Sequence, residues 1–380
     1  MNPFQILDYF ERRQESIVDL IRAIVDIESP SRDAARSREV VDWVERQARA
    51  TGADIAIERV SVDDGDHLII RAFESDVTPV LMLGHIDTVH PVGTRELNPT
   101  RIEGDKFYGC GIFDMKSGIV LMLEALRFFA ETGTRPARPI TILLSCDEEV
   151  GSHSGRVLVE SEAAKSEFCL VLEPSAAGKV KTGRKGTGMY TVRVHGAPAH
   201  AGLEPEKGVN AIAELSRRID PLHTFADPAL GTTVNVCTMR GGTTTNVIPE
   251  HAECTVDVRF LTMAEAERVD AAIRDIEPTD GRASLEILGG INRPPMERTE
   301  AVVALFEKAR ALAASVDYQL DETQVGGASD GNFVAALGVP VLDGLGISGA
   351  GAHTLDEHIF VSDLAKRAML IAMLLGDSET

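Results

Sequence analysis

The stretch "PITILLSCDEEVGS", residues 139–152, joins an apolar run directly to a cluster of acidic residues. The run is nearly continuous, which is typical of a strand that is covered on both faces of a sheet. Asp147, Glu148 and Glu149 follow it side by side. Adjacent carboxylates repel one another, and burial of an uncompensated charge is costly. We therefore expect either that water surrounds this acidic turn or that a strong positive charge lies beside it.

Other apolar runs in the first part of the chain predict more strands of the same kind. Those at 80–84 and 168–172 are also nearly continuous, and stretches with helical spacing of apolar residues alternate with the runs. This alternation predicts an α/β fold with a mostly parallel mixed sheet flanked by helices. The predicted strands are 67–73, 79–87, 140–145 and 168–174, and the predicted helices are 16–28, 37–51 and 116–132.

The pattern changes near residue 186, where the strands begin to alternate apolar and polar residues. Such strands, combined with two helices, predict an α+β layer of βαββαβ topology with one face exposed to water. An α/β pattern returns after residue 292, with a helix near 299–314 and an apolar run at 339–346. We therefore predict a catalytic domain formed by 1–185 and 293–380, and a second domain inserted at 186–292. The strands of the inserted domain are expected at 189–196, 232–239, 252–260 and 283–288, and its helices at 208–219 and 263–277.

The composition is that of a soluble globular protein and excludes several classes of partner. The chain has 380 residues, 44% of them hydrophobic, and a formal charge of −21, which argues against nucleic acid or an anionic membrane as a partner. Five cysteines without a CxxC spacing, and no secretory signal pattern, predict a cytoplasmic protein with reduced thiols. No apolar run approaches the ~20 residues that a membrane-spanning helix needs.

Polar side chains that suit metal binding follow several of the predicted strands. Ligands bind beyond the carboxyl ends of strands in open α/β sheets, so one cavity is expected to collect these residues. Imidazoles and carboxylates are good zinc ligands, and one ion takes about four of them. The surplus predicts a pair of ions ~3.5–4 Å apart that share a carboxylate. The residues are His85, Asp87, Asp114, Glu148, Glu149, Glu173 and His353.

Glu148 and Glu149 are expected to have different roles. On an extended chain, adjacent side chains face opposite ways. One of the two can therefore bind a metal while the other faces a water molecule as a base. Zinc brings the pKa of its bound water to about 7, so a nearby carboxylate can accept that proton near neutral pH.

Six motifs occur in one order between residues 84 and 354: "GHIDTV", "GCGIFDMKSG", "DEEVGS", "LEPS", "GAPAHAG" and "GAGAHT". Together they resemble the dinuclear zinc family that contains glutamate carboxypeptidase, acetylornithine deacetylase and succinyl-diaminopimelate desuccinylase. The resemblance implies two Zn²⁺ ions, with Co²⁺ or Mn²⁺ as alternatives. It also implies an inserted lid through which the protein forms a homodimer.

The resemblance further implies a role for each residue of the cluster. His85, Asp114 and Glu173 would hold one ion, and Asp114, Glu149 and His353 the other, with Asp114 as the bridge. Asp87 would orient His85, Glu148 would be the general base and later the proton donor, and His200 of the lid would polarise the substrate carbonyl. The implied reaction is cleavage of an amide bond by a metal-bridged hydroxide.

Residues 172–202 look closest to the glutamate carboxypeptidase branch, which implies release of a C-terminal glutamate-type residue from a small molecule or short peptide with a free carboxylate. Asn246, Arg259 and Arg293 match substrate contacts of that branch, since a guanidinium can bind a carboxylate with two hydrogen bonds. "SD" at 329–330 departs from the branch's usual glycine-rich Thr-Asp form. The alternatives are an N-acyl amino-acid deacylase similar to acetylornithine deacetylase, and a dipeptidase.

Structural interpretations of the same residues stand beside the functional ones. Glu148 and Glu149 also fit a solvated turn, and His200 also fits a strand cap. Arg259, which shares a face of its predicted strand with Asp257, also fits a cross-strand ion pair. The remaining two substrate residues fit a surface hinge, at Arg293, and a turn, at Asn246. A non-catalytic binding protein is a further alternative, which the presence of Glu148 disfavours.

Overall fold

The computed structural model describes residues 1–377, and these divide into two units along the chain. Unit 1 comprises Met1–Thr182, Arg298–Val325 and the chain from Ser329 onward. Unit 2 comprises Gly183–Glu297 with Gly326–Ala328, whereas the sequence pattern placed the insertion at 186–292. Residues 378–380 of the predicted catalytic domain lie outside the described residues.

The described part of the chain contains ten α-helices and eighteen strands, besides five short 3₁₀ or π turns. The helices are α1 (Pro3–Val25), α2 (Ala34–Arg49), α3 (Thr94–Leu97), α4 (Ser117–Thr132), α5 (Gly155–Ala163), α6 (Ala211–His223), α7 (Met263–Arg274), α8 (Glu300–Ala314), α9 (Gly331–Ala336) and α10 (Leu364–Gly376). The strands are β1 (Ile55–Val62), β2 (Gly65–Ala72), β3 (Val80–His85), β4 (Arg101–Glu103), β5 (Lys106–Tyr108), β6 (Ile140–Ser145), β7 (Cys169–Val171), β8 (Val180–Arg184), β9 (Gly186–His195), β10 (Ala199–His200), β11 (Thr233–Gly241), β12 (Val247–Ile248), β13 (His251–Phe260), β14 (Ser284–Arg293), β15 (Glu322–Val325), β16 (Val341–Leu342), β17 (Gly349–Ala350) and β18 (His358–Phe360).

The central sheet of unit 1 has the order β1-β2-β6-β3-β7-β16. The pairings of β6 with β3, β3 with β7 and β7 with β16 are parallel, whereas β1–β2 and β2–β6 are antiparallel. Every residue of β3, β6 and β7 is buried, as expected of strands covered on both faces. The predicted α/β class with a mostly parallel mixed sheet is confirmed.

Helix α1 is longer than the predicted helix at 16–28. It begins at Pro3 because Asn2 caps it: the Asn2 side chain accepts from the Gln5 amide, and the Gln5 side chain accepts from the Asn2 amide. Such a reciprocal capping box satisfies two amides that the first turn leaves without partners. Charged residues in the second and third turns, at 8 and 11–13, interrupt the apolar repeat, so the pattern indicated only the second half of the helix.

A second, four-stranded sheet of unit 1 has the order β17-β18-β5-β4. Strand β5 precedes Asp114 in the chain, and β17 and β18 lie on either side of His353. The antiparallel pairing of β18 with β5 joins Ile359 to Phe107, both of which are fully buried. This small sheet therefore brings together two segments that are distant in sequence and that carry predicted metal ligands.

Unit 2 is a four-stranded antiparallel sheet of order β11-β13-β9-β14 with helices α6 and α7. Along β13 the burial alternates strictly from residue to residue, and its apolar side chains Val256, Val258 and Phe260 belong to the core of this unit. The order of elements is βαββαβ apart from the two short strands β10 and β12. Among residues 1–377, the helices are all too short or too polar to cross a membrane.

Candidate metal centre

His85 ends strand β3, and its imidazole is held on both sides. The Nδ1 atom lies 2.9 Å from the backbone oxygen of Asp87, and the Nε2 atom lies 3.1 Å from Oδ1 of Asp114. The preceding Gly84 leaves room for the Met115 side chain, since a Cβ atom at Gly84 would lie 2.6 Å from Cε of Met115. The close packing of Met115 under the strand end therefore brings Asp114 against His85.

Asp114 lies on a buried turn between β5 and α4, and its two carboxylate oxygens face different histidines. Oδ1 is the neighbour of His85, whereas Oδ2 lies 3.3 Å from Nε2 of His353. His353 is carried by the glycine-rich turn after β17, and its side chain is half exposed. A carboxylate with one oxygen directed to each of two imidazoles has the arrangement that a bridging ligand requires.

Glu149 and Glu173 complete the two sides of this cluster. Oε2 of Glu149 lies 3.3 Å from Nε2 of His353, and Oε1 of Glu173 lies 3.6 Å from Nε2 of His85. The edge of a tetrahedral zinc site with bonds of ~2.0–2.1 Å is ~3.3–3.4 Å, so these separations fit ligands of shared ions. The geometry contains two overlapping groups that could hold an ion: His85 with Glu148 and Glu173, and His85 with Asp114 and Glu149.

One buried carboxylate oxygen of the cluster has no hydrogen-bond donor in the described part of the chain. Within residues 1–377, Oε1 of Glu149 is shielded from solvent and accepts no hydrogen bond. A buried carboxylate oxygen without a partner is costly unless a cation neutralises it. The donor set of imidazole and carboxylate, the separations of its atoms and this oxygen together fit divalent metal ions such as zinc.

The acidic turn after β6 differs from the extended chain that the sequence suggested. Glu148–Val150 forms one turn of 3₁₀ helix, so the expectation that Glu148 and Glu149 alternate along an extended strand was wrong. Successive side chains of such a turn are ~120° apart, and the two glutamates still belong to different groups. Glu148 faces His85 and Glu173, whereas Glu149 faces Asp114 and His353.

Asp87 and Asp147 hold this turn in place. The Asp87 carboxylate accepts hydrogen bonds from the amides of Glu148 and Glu149, both 3.2 Å, and from the Ser31 hydroxyl at 2.7 Å. It lies 3.5 Å from Nδ1 of His85, farther than the Asp87 backbone oxygen does. Asp147 instead accepts from the Ser154 amide at 2.7 Å, next to the start of α5.

The carboxylates of the cluster shift the pKa values of both histidines. Burial alone would lower the pKa of the His85 imidazole, but hydrogen bonds to Asp114 and Asp87 and the charge of Glu173 raise that pKa well above its usual value. Hydrogen bonds to Asp114 and Glu149 raise the pKa of His353 to about 10. Despite burial, the same two histidines lower the pKa of Asp114. The carboxylates of this cluster therefore create a strongly negative environment that favours a positive charge beside the acidic turn.

Asp330 is a supporting residue that the sequence reasoning did not assign to the site. Its carboxylate accepts hydrogen bonds from the hydroxyls of Ser145 (2.9 Å) and Ser152, which lie on either side of the acidic turn. The "GASDG" segment at 327–331 also has the GxSxG spacing of serine-hydrolase nucleophile turns. However, Ser329 is fully buried and donates to Asp343 at 2.7 Å, so it is not an exposed nucleophile.

The other predicted site residues belong to unit 2. Nδ1 of His200 accepts a hydrogen bond from the Gly202 amide at 3.1 Å, so a neutral ring carries its proton on Nε2. His200 is exposed, and its strand pairs with β12 just after Asn246, whose side chain accepts from Thr244. A donor is therefore available on the surface of this unit.

Both predicted arginines of unit 2 have defined surroundings. The Arg259 guanidinium forms a forked ion pair with Asp257 of the same strand, with distances of 2.8–2.9 Å. The residues are two apart and share a face of β13, so the pair lies along the strand rather than across strands. Arg293 ends β14 and is 6% exposed, which makes the alternative of a surface hinge residue wrong.

The fold and this cluster define a metal-dependent hydrolase. Residues 81–377 match the description Peptidase family M20/M25/M40, and the chain belongs to this family. The chain is 30% identical to carboxypeptidase G2 of Pseudomonas sp. over 96% of its own length and 89% of that protein. It is 31% identical to succinyl-diaminopimelate desuccinylase of Delftia acidovorans over 75% and 78% of the two chains.

Solved structures show the same fold. Aminopeptidase PepT of Bacillus cereus has a TM-score of 0.77 at 22% identity, covering 97% of this chain and 99% of that one. The M20 family metallo-carboxypeptidase Sso-CP2 of Sulfolobus solfataricus has a TM-score of 0.70 at 16% identity, covering 95% and 98%. Identities this low support the fold and leave the substrate open.

Proposed function

We propose that this protein is a dinuclear metal-dependent exopeptidase or amidohydrolase of the glutamate carboxypeptidase type. The observation that carries the proposal is Asp114, whose two oxygens lie 3.1 Å and 3.3 Å from the imidazoles of His85 and His353. A carboxylate shared in this way is what a pair of ions requires. The similarity to carboxypeptidase G2, which extends over 96% of the chain, supports the carboxypeptidase assignment.

Two zinc ions are the proposed cofactors, with Co²⁺ or Mn²⁺ as alternatives. His85, Asp114 and Glu173 would hold one ion, and Asp114, Glu149 and His353 the other. Bound zinc lowers the pKa of water and polarises a carbonyl oxygen. The protein residues must supply everything else: a base, an oriented substrate and a donor for the developing oxyanion.

Glu148 is the proposed base. Its ligand atom lies within 4.8 Å of those of His85 and Glu173, and its backbone amide donates to the Asp87 carboxylate, which fixes the turn that carries it. From this position Glu148 would remove a proton from the attacking water and deliver it to the leaving amine. Asp87 would also orient His85, through its backbone oxygen at 2.9 Å and its carboxylate at 3.5 Å.

His200 is the proposed donor to the substrate carbonyl. The hydrogen bond from Gly202 to its Nδ1 atom leaves the proton on Nε2, which is the form that can stabilise an oxyanion. Arg293 and Asn246 are proposed to bind the substrate carboxylate and the adjacent backbone. Arg259 would join them by exchanging its partner Asp257 for the substrate; a free substrate carboxylate offers the same forked geometry.

A second candidate function is deacylation of an N-acyl amino acid. The similarity to succinyl-diaminopimelate desuccinylase, 31% identity over 75% of the chain, favours it. The two functions share the cleaved amide bond and differ in the groups on either side. A dipeptidase is a further alternative with the same chemistry.

Product analysis of the zinc-loaded protein tests these functions in parallel. The substrates are N-acyl glutamates of the folate type, N-succinyl diamino acids, N-acetylornithine and unmodified dipeptides, each with and without a chelator. Release of glutamate in a chelator-sensitive way supports the proposal, and preferential cleavage of the succinyl or acetyl substrates supports the deacylase. Metal binding without turnover of any substrate would indicate a binding protein instead.

We also propose that the protein is a homodimer through unit 2. Strand β11 is an edge strand of the four-stranded sheet, and its residues 237–241 are all exposed, Met239 among them. An exposed edge strand offers unpaired amides and carbonyls to a second chain. Sedimentation equilibrium should give the mass of a dimer, and Met239→Pro should shift it toward the monomer. A monomeric wild-type protein would contradict this proposal.

A further inference from the structure

Glu357 is a buried carboxylate next to the candidate metal centre that the functional assignment leaves without a role. Its exposed fraction is 0%, and both carboxylate oxygens accept hydrogen bonds from N–H groups. Oε1 accepts from the amides of Phe113 (2.8 Å) and Asp114 (2.9 Å). Oε2 accepts from the amide of Gly111 at 2.8 Å and from Nε2 of His90 at 2.7 Å. Charge-assisted bonds of this length are the strong ones.

These bonds determine the backbone of the turn that carries Asp114. The backbone is non-helical at Asp114, with φ of −117° and ψ of 91°, and at Met115, with φ of −136° and ψ of 32°, so the segment Ile112–Lys116 is kinked at these residues. In that conformation the amides of Gly111, Phe113 and Asp114 point toward one centre, which Glu357 occupies. Buried amides that lose their acceptor are costly, so the conformation of this turn depends on the carboxylate.

Glu357 also belongs to the segment that carries His353. It follows His353 in the turn between β17 and β18, and its backbone oxygen accepts from the Gly109 amide at 3.2 Å. His353 has a φ of 65°, in the left-handed region that a residue other than glycine holds only when its surroundings impose it. The hydrogen bonds of Glu357 attach this turn to the Asp114 turn at the point where their side chains meet.

We propose that Glu357 is a positioning residue that sets the separation of Asp114 and His353, and through it the affinity for the ion between them. It would touch neither metal nor substrate. His90 is its anchor, since it lies just after the Asp87 strand exit and donates to the same carboxylate. The inference rests on the proposed two-ion site and adds a determinant of its metal affinity.

The test measures metal affinity in Glu357→Gln, which keeps the shape of the side chain and replaces an acceptor oxygen with a donor. Zinc is titrated into chelator-treated protein, and stoichiometry and affinity are read by competition with a chromophoric chelator. We expect one of two ions to bind about 10–100-fold more weakly, as found for residues that orient metal ligands. The visible spectrum of the cobalt-loaded variant should also change, and excess metal should restore activity.

Glu124→Gln is the matched control. Glu124 is likewise a glutamate with 0% exposure, but it lies on helix α4, away from the turn of Asp114, and pairs with Arg13 of helix α1. Its substitution should lower stability and leave zinc affinity and the cobalt spectrum unchanged. If Glu357→Gln lowers stability in the same way with wild-type zinc affinity and spectrum, the role of Glu357 is structural and the inference is wrong.

His90 provides a second route if Glu357→Gln does not fold. His90→Gln keeps a donor toward Glu357, whereas His90→Phe removes it. The inference requires weaker zinc binding in His90→Phe than in His90→Gln, and equal affinities would overturn it. The number of zinc ions bound by the wild-type protein distinguishes failure of the proposed function from failure of this inference. Fewer than two ions per wild-type chain would contradict the proposed function. Two ions, with unaltered affinity in the variants, would contradict only the role of Glu357.

Discussion

The Nε2 atom of His353 lies 3.3 Å from Oδ2 of Asp114, although the whole of unit 2 lies between these residues in the sequence. Hydrogen bonds to Asp114 and Glu149 raise the pKa of His353 to about 10, so these carboxylates favour a proton on the nitrogen to which the proposed function assigns a metal ion. Metal and protons must compete for the same nitrogen.

Metal binding should therefore release protons. The pKa of His353 is raised to about 10 and its imidazole must be neutral to bind an ion, so affinity for that ion should rise about tenfold per pH unit below this pKa. Calorimetric titration with zinc, in buffers of different ionisation enthalpy, counts the protons released. We expect at least one per ion at this site. Affinity that is independent of pH, without proton release, would contradict the competition.

The raised pKa of His353 also predicts how the stability of the chelator-treated protein changes with pH. A histidine whose pKa is higher in the folded state stabilises the fold fully below its unfolded pKa of about 6.5. That contribution is lost as the pH rises toward about 10, the folded pKa of His353. The thermal midpoint of the chelator-treated protein should fall over this range. In His353→Asn the fall should be smaller, and an equal fall in both proteins would show that other groups cause it.

Glu148 and Glu149 allow a sharp comparison because they are adjacent and chemically identical. Glu148→Gln should lower kcat by about 10²–10⁴-fold, the usual contribution of a general base, while the metal content stays at the wild-type value. Glu149→Gln should instead lose metal, because Glu149 is the residue 3.3 Å from His353. Metal content by atomic emission and single-turnover rates distinguish the two. Retained activity in Glu148→Gln would refute its role as the base.

The sheet was predictable because its signal is local. Strands β3 and β6 are short, continuous apolar runs, and the run 140–145 coincides with β6. The polar residues at their carboxyl ends follow from the same pattern, since parallel strands end at one edge. The geometry of the acidic turn could not be predicted from this local pattern. Its 3₁₀ conformation depends on a distant residue, Asp87, which binds the amides of Glu148 and Glu149.

Supporting contacts between distant segments had no such local signal. Asp330 binds Ser145 and Ser152, and Glu357 binds the Asp114 turn. In both cases the residues of unit 2 lie between the partners in the sequence. A hydropathy pattern carries no information about which loops meet. The order of the motifs suggested the metal ligands, whereas only the three-dimensional structure shows the buried carboxylates that hold those ligands in place.

His200 is predicted to act in the chemical step and not in metal binding. Replacement by alanine removes a donor on Nε2, and loss of one oxyanion donor costs about 10²–10³ in kcat. Zinc stoichiometry should remain at the wild-type value, because the residues of the metal cluster all belong to unit 1. The control is His251→Ala, since His251 is also exposed in unit 2 and lies at the start of β13. Equal kcat in wild type and His200→Ala would contradict the assignment.

Helix α4, which follows the Asp114 turn, offers a test of stability apart from function. Its Glu124 is fully buried and binds Arg13 with distances of 2.6 Å and 3.1 Å and Arg127 with 3.0 Å. Removing one partner of a buried ion pair costs about 3–5 kcal/mol, because the remaining charges lose their compensation. Glu131 lies two turns further along the same helix; its side chain is 44% exposed and lies 3.9 Å from Arg13. Exposed ion pairs contribute about 0–1 kcal/mol. Urea unfolding should therefore show a much larger loss for Glu124→Gln than for Glu131→Gln, and similar losses would mean that the buried pair does not stabilise this helix.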